Sequence, residues 1–144
     1  MWRQHVRQFL ATAEFGAALK EEDVLAAEAA LGIKLEAQLR SCLLETNGVK
    51  GEHSLDLLWP IERIVADNRH FRSHTDFPEL YMPFDCLLFF ADAGNGDQFA
   101  YPILAGAIRR DDIFVWNHED DSRTWVAPSL KTYFEWLLTD RIQL

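Results

Sequence analysis

Apolar positions follow a helical period over the first third of the chain and fall into shorter, strand-like runs after it. Between residues 3 and 14, Val6, Phe9, Leu10 and Ala13 share one helical face, and Gly16 stands where that helix would end. Residues 23–31 predict a second helix. Glu21, Glu22 and Asp23 suit its positive end, the alanines favour it by propensity, and Gly32 supplies a left-handed stop. Residues 36–46 predict a third, with Leu35, Leu39, Cys42 and Leu43 on one side and Asn47-Gly48 as a left-handed C-cap. The period then drops to two. Ser54 to Leu58 reads as a short strand closed by Trp59-Pro60, and Ile61, Ile64 and Val65 predict a short helix through residue 68. Residues 67–79, with His70 and His74, read as an irregular mobile loop.

Cys86 to Ala91 is a continuous apolar run, the pattern of a strand buried on both faces. Asn95-Gly96 tolerates positive φ and predicts a tight hairpin, with Gln98 to Tyr101 returning as its second strand. Further strands are expected at 103–108, 113–116 and 124–127, although Gly106 weakens the first. Pro128-Ser129 introduces a last helix with Leu130, Tyr133, Phe134, Leu137 and Leu138 as its apolar stripe. The expected architecture is α+β: N-terminal helices, a mainly antiparallel sheet of about five or six strands covered by helices, and one C-terminal helix. Residues 1–144 fit one domain, with no repeat or linker.

Charge narrows the partners. Fourteen Lys and Arg against 23 Asp and Glu leave −9, which argues against direct nucleic-acid or anionic-membrane binding. Residues 1–75 carry nine basic and 11 acidic side chains, a net of −2. Residues 76–144 carry five and 12, a net of −7. Much of the acidity falls in turns: Asp92 and Asp97, Asp111 and Asp112, then Glu119, Asp120 and Asp121. Turns of a meander gather at the two ends of a sheet, so several of these carboxylates are expected to share a negative rim. They read equally as solubilising turns. Trp116 and Trp125 flank the last acidic turn and Trp59 ends a strand. An exposed aromatic ringed by acids suits a basic protein partner, and the same tryptophans also suit the core. The candidate partner-binding set is Trp59, Asp92, Asn95, Asp97, Asp112, Trp116, Glu119, Asp120 and Asp121.

Catalytic and metal motifs are missing. No nucleophile elbow, phosphate loop or dinucleotide fingerprint occurs. His118-Glu119-Asp120-Asp121-Ser122 opens like a zinc-protease helix but has serine where the second histidine belongs. Asp92 to Asp97 lacks the alternating donors and final glutamate of a calcium loop. No catalytic residue, cofactor or metal is therefore expected. A small-molecule or hydrolase pocket beside the 92–97 hairpin is the alternative from another class. Cys42 and Cys86 sit in apolar runs and read as buried thiols of a reducing compartment. With no signal-peptide pattern and no apolar run long enough to span a bilayer, a cytoplasmic location is expected. The oligomeric state is open.

The ordered segments together resemble the SUKH superfamily, which includes fungal cell-wall-synthesis regulators and bacterial toxin-immunity proteins. The similar residues are Glu28-Ala-Ala-Leu-Gly32, the stretch Leu35 to Gly48 ending Glu-Thr-Asn-Gly, and Leu57-Leu-Trp59-Pro-Ile-Glu-Arg63-Ile64. The hairpin Leu88 to Tyr101 is the most distinctive, followed by Val115-Trp-Asn-His-Glu-Asp120 and Ser129-Leu-x-x-Tyr133-Phe134. Glu36 stands where the family commonly has proline, and a helix can begin with either. The resemblance implies a non-enzymatic, protein-binding α+β domain. Its bacterial members imply an immunity protein neutralising a toxin, in many cases a nuclease, whose basic site an acidic surface would suit. Its fungal members imply a regulatory or structural adaptor.

Overall fold

The computed structural model describes residues 1–73 and 84–142. Among these residues the order is α1 (Trp2–Arg7), β1 (Glu14–Phe15), α2 (Glu21–Leu31), α3 (Ala37–Glu45), β2 (Val49–Lys50) and β3 (Asp56–Leu58). Then come α4 (Ile61–Ser73), β4 (Leu87–Asp92), β5 (Gln98–Pro102), β6 (Ile113–Trp116), β7 (Arg123–Ala127) and α5 (Leu130–Leu138). The protein is α+β, with N- and C-terminal helices flanking antiparallel sheets. In place of one sheet, two form: a three-stranded β1-β2-β3 and a four-stranded meander β4-β5-β6-β7. The Trp59 amide, donating to the Phe90 carbonyl at 2.8 Å, stitches them together.

The helices begin where side chains satisfy their free amides. Glu36 caps α3 by accepting from the Gln38 and Leu39 amides, and Ser129 caps α5 through the Thr132 amide. Two helices are capped from the end of α3 instead. The Glu45 carboxylate accepts from the Trp2 and Arg3 amides of α1, and Asn47 Oδ1 accepts from the Ile61 amide of α4 at 2.7 Å. Asn47-Gly48 is therefore not the left-handed cap of α3. Thr46 is that cap, in an extended conformation. Gly48, at φ +94°, takes a left-handed turn so tight that a Cβ would lie 3.1 Å from the Pro60 nitrogen. Gly32 does end α2 in the left-handed conformation, at φ +74°.

Three expectations shift for tertiary reasons. The first helix stops at Arg7, because Glu14 and Phe15 pair with Lys50 and Val49, and the Arg7 guanidinium lies over the Phe15 ring. Residues 67–73, read as irregular, continue α4 and include His70. The remainder of that expected loop, with His74, lies outside the described residues. The strand expected at 103–108 is a turn with an isolated Leu104–Ala107 bridge, since Ala105 and Gly106 both take positive φ. The cysteines also differ from expectation. Cys42 is buried, but Cys86 is exposed at the end of a 3₁₀ turn (Phe84–Cys86) rather than inside the strand, and no disulfide joins the two.

The core lies between the sheets and the helices. Leu130, Tyr133 and Phe134 of α5 are fully buried. The Tyr133 ring meets Phe90 and Phe99 edge-on at 5.4 and 4.9 Å, and its hydroxyl donates to the Leu57 carbonyl at 2.8 Å. On the other side α4 covers the border of β4. The buried Asn68 carboxamide donates to the Phe89 carbonyl and accepts from the Phe89 amide, each at 2.8 Å. It supplies the two bonds a neighbouring strand would make.

Replacing Asn68 by alanine strands two buried backbone groups of Phe89, so a loss of about 2–4 kcal/mol is expected in urea unfolding. Asn47→Ala removes a partly exposed cap and is expected to cost about 1 kcal/mol in the same assay. Equal losses would contradict the assignment of the buried amide as the stronger element.

Candidate functional site

A four-stranded meander puts alternate turns at opposite ends. The β4–β5 and β6–β7 turns therefore share one end, and the β5–β6 connection lies at the other. The shared end is joined by His118, whose amide and Nδ1 both engage Asp97 Oδ1, the ring atom at 2.7 Å. The β4–β5 turn is longer than a two-residue hairpin. Gly94 and Gly96 take φ +97° while Asn95 folds its side-chain oxygen onto the Asp97 amide. Gly96 is required by more than its φ, since a Cβ there would meet the His118 ring at 2.8 Å.

Most of the candidate residues at this end have structural work. Trp59 is completely buried, and Trp116 is only 7% exposed, packed against Phe84 and Phe89, so neither is an exposed anchor. Asp97 is buried against His118. Asp121 accepts from the Trp116 indole at 2.6 Å and from Arg123 at 3.2 Å, and its side chain is 10% exposed. Asp92 takes two bonds from Arg63, at 2.7 and 3.0 Å. That guanidinium also bonds Asp56 and Asp67 and stacks 4.1 Å above the Trp59 ring. Burial alone would weaken Arg63 as a base, and the Asp92 and Asp67 carboxylates reverse the effect. Asn95, Glu119 and Asp120 are the candidates at this end that stay exposed. Asp120 is held below its ordinary range by its bonds from Ser122. Gly94 and Gly96 are exposed as well, and both carboxylates of the 92–97 hairpin are engaged, Asp92 by Arg63 and Asp97 by His118.

Asp112 lies at the opposite end of the sheet. It accepts from the Trp125 indole at 3.0 Å and from Arg110 at 2.6 Å, and both bonds hold it below the usual carboxylate range, Trp125 more strongly. Trp125 is 46% exposed and meets Trp136 of α5 edge-on at 6.1 Å. It is the exposed aromatic that the candidate set leaves out, and its place beside the acidic turn in a short terminal strand was the available signal. Glu36 is a second omission. It is 6% exposed, and burial raises its carboxyl, with the nearby Asp111 adding to the effect and the Gln38 and Leu39 amides opposing it. An open groove lies elsewhere, between α1 and α3, lined by Arg3, Gln4, Arg7, Ser41, Leu44 and Glu45.

Among the described residues no group of three or more His, Cys, Asp or Glu side chains is placed to hold a metal ion, and no helix is long and apolar enough to cross a membrane. One family model spans nearly all of these elements, from the start of α2 into α5. The model of the SUKH_6 family, described as SMI1-KNR4 cell-wall, matches residues 21–134. The chain belongs to the SUKH superfamily, a group that includes toxin-immunity and cell-wall regulatory proteins and consists generally of non-catalytic scaffolds. No curated protein matches it.

Arg63→Ala removes the shared partner of Asp56, Asp67 and Asp92, of which only Asp56 keeps a cation among the described residues, Lys50 at 3.1 Å, and a loss of about 1–2 kcal/mol is expected by urea unfolding. Glu36 makes stability depend on pH. Its folded-state value lies above the ordinary 4.5, so the folded protein holds the proton more tightly than the unfolded chain. The resulting stability is present below pH 4.5 and is lost as pH rises through the raised value. The stability difference between wild type and Glu36→Gln should therefore fall as pH rises from 4.5, and a flat difference would exclude this behaviour.

Proposed function

We propose that this protein is a cytoplasmic, non-enzymatic protein-binding module, one domain over residues 1–144, that acts as an immunity protein and neutralises a basic toxin domain through acidic turns. The observation that carries this reading is SUKH membership over residues 21–134 together with a net charge of −9. The exposed Glu119 and Asp120 are the carboxylates of the shared turn end best placed to meet a partner, with Asn95 beside them. Negative potential concentrated there accelerates encounter with a basic surface and discriminates against acidic proteins. A nuclease fits this chemistry, because a site built for phosphates is itself basic. The wider membership of the family supports a second reading, a regulatory or structural adaptor, which needs no toxin.

Co-purification of the tagged full chain from its native host, at low and high salt, separates the two. The expected result is one basic protein, retained at low salt, lost at high salt, and lost from Glu119→Lys/Asp120→Lys at either. A toxin retained equally by that variant would remove the acidic turn from the interface. Only acidic or salt-insensitive partners would favour the adaptor.

A further inference from the structure

The two borders of the four-stranded sheet differ. That of β4 is closed by Asn68 and by the Trp59 amide. At β7 the backbone of residues 124–127 makes no hydrogen bond on the side away from β6 among the described residues. Thr124 and Trp125 are exposed there. An open strand border is a row of unpaired donors and acceptors that another extended chain can complete. Trp125 is held for contact: Asp112 fixes its indole N–H and Trp136 supports its ring, so little side-chain freedom remains to be lost on binding.

Charge selects the occupant. The five residues of β7 span about 17 Å and run from the acidic turn of Glu119 and Asp120 to the connection that carries Asp111 and Asp112. Of the cations on the adjoining turns, Arg123 and Arg110 are paired with Asp121 and Asp112, and Arg109 is turned onto the Leu104 and Ala105 carbonyls. A second copy would bring the same carboxylates and another −9 to this border. We infer that β7 accepts an extended segment of a partner protein that carries basic side chains, adding to the sheet as a fifth strand with Trp125 as its apolar anchor. This inference rests on the protein-binding reading above and specifies the surface used.

The test uses the full chain and a fluorescein-labelled ten-residue peptide of alternating lysine and valine, with a counterpart N-methylated at every backbone amide. Anisotropy is expected to show saturable binding of the first peptide, weakened at least about tenfold by N-methylation and at least about tenfold by Trp125→Ala. Amide hydrogen exchange at residues 124–127 should slow in the complex. Binding that is lost in Glu119→Lys/Asp120→Lys but unchanged by N-methylation and by Trp125→Ala would overturn strand addition while leaving the acidic docking surface intact. Absence of saturable binding, or unchanged exchange at residues 124–127, would also overturn it.

Discussion

Four residues at the end of α3 hold the N-terminal half of this protein together. Glu45 ends the helix and caps α1. Thr46 donates from its hydroxyl to the Gly48 carbonyl at 2.8 Å, inside its own turn. Asn47 caps α4, and its carboxamide nitrogen reaches Glu62. Gly48 turns the chain into β2 against Pro60. The space is tight from the other direction too, since a Cβ on Gly16 would lie 2.2 Å from the Asn47 carbonyl oxygen. Outside this junction, α1 meets α3 through the Trp2 indole, which donates to Ser41 Oγ at 3.0 Å, and through apolar contacts, which by themselves do not specify an angle or a register.

Anchoring of this kind also limits what could be read from the amino-acid order. Periodicity found α3 and α5, propensity and end signals found α2, a continuous apolar run found β4, the Asn95-Gly96 turn pointed to β5, and short runs between turns marked β6 and β7, because each carries its own local signal. Elements made by distant partners left no such trace. β1 and β2 are two residues each, too short to show a period, and exist through pairing with one another and with β3. The second half of α4 is polar apart from Phe71, and it is helical because Asn68 and Phe71 pack on β4. At the candidate site, sequence placed the acidic turns but not their ion pairs. Arg63 is 29 residues from Asp92, and no spacing rule reports a contact over that distance.

Burial sorts the acidic residues into two groups. Asp56, Asp92, Asp97 and Asp121 satisfy buried or half-buried donors, so they hold the turns in place. Glu119 and Asp120 remain exposed at the surface. A count of carboxylates cannot separate these groups, because the distinction depends on which cation or indole lies within reach. The tryptophans divide in the same way: Trp59 and Trp116 fill the interior, while Trp125 reaches the surface at the end of an ion-paired scaffold.

The unequal borders of the meander have a consequence for how the molecule behaves when concentrated. Endless lateral stacking of sheets needs two receptive sides on every unit. Here the carboxamide of Asn68 and the amide of Trp59 occupy one side. A chain docked on the remaining side would leave this sheet no open border for a further strand, a geometry that favours finite complexes over fibres.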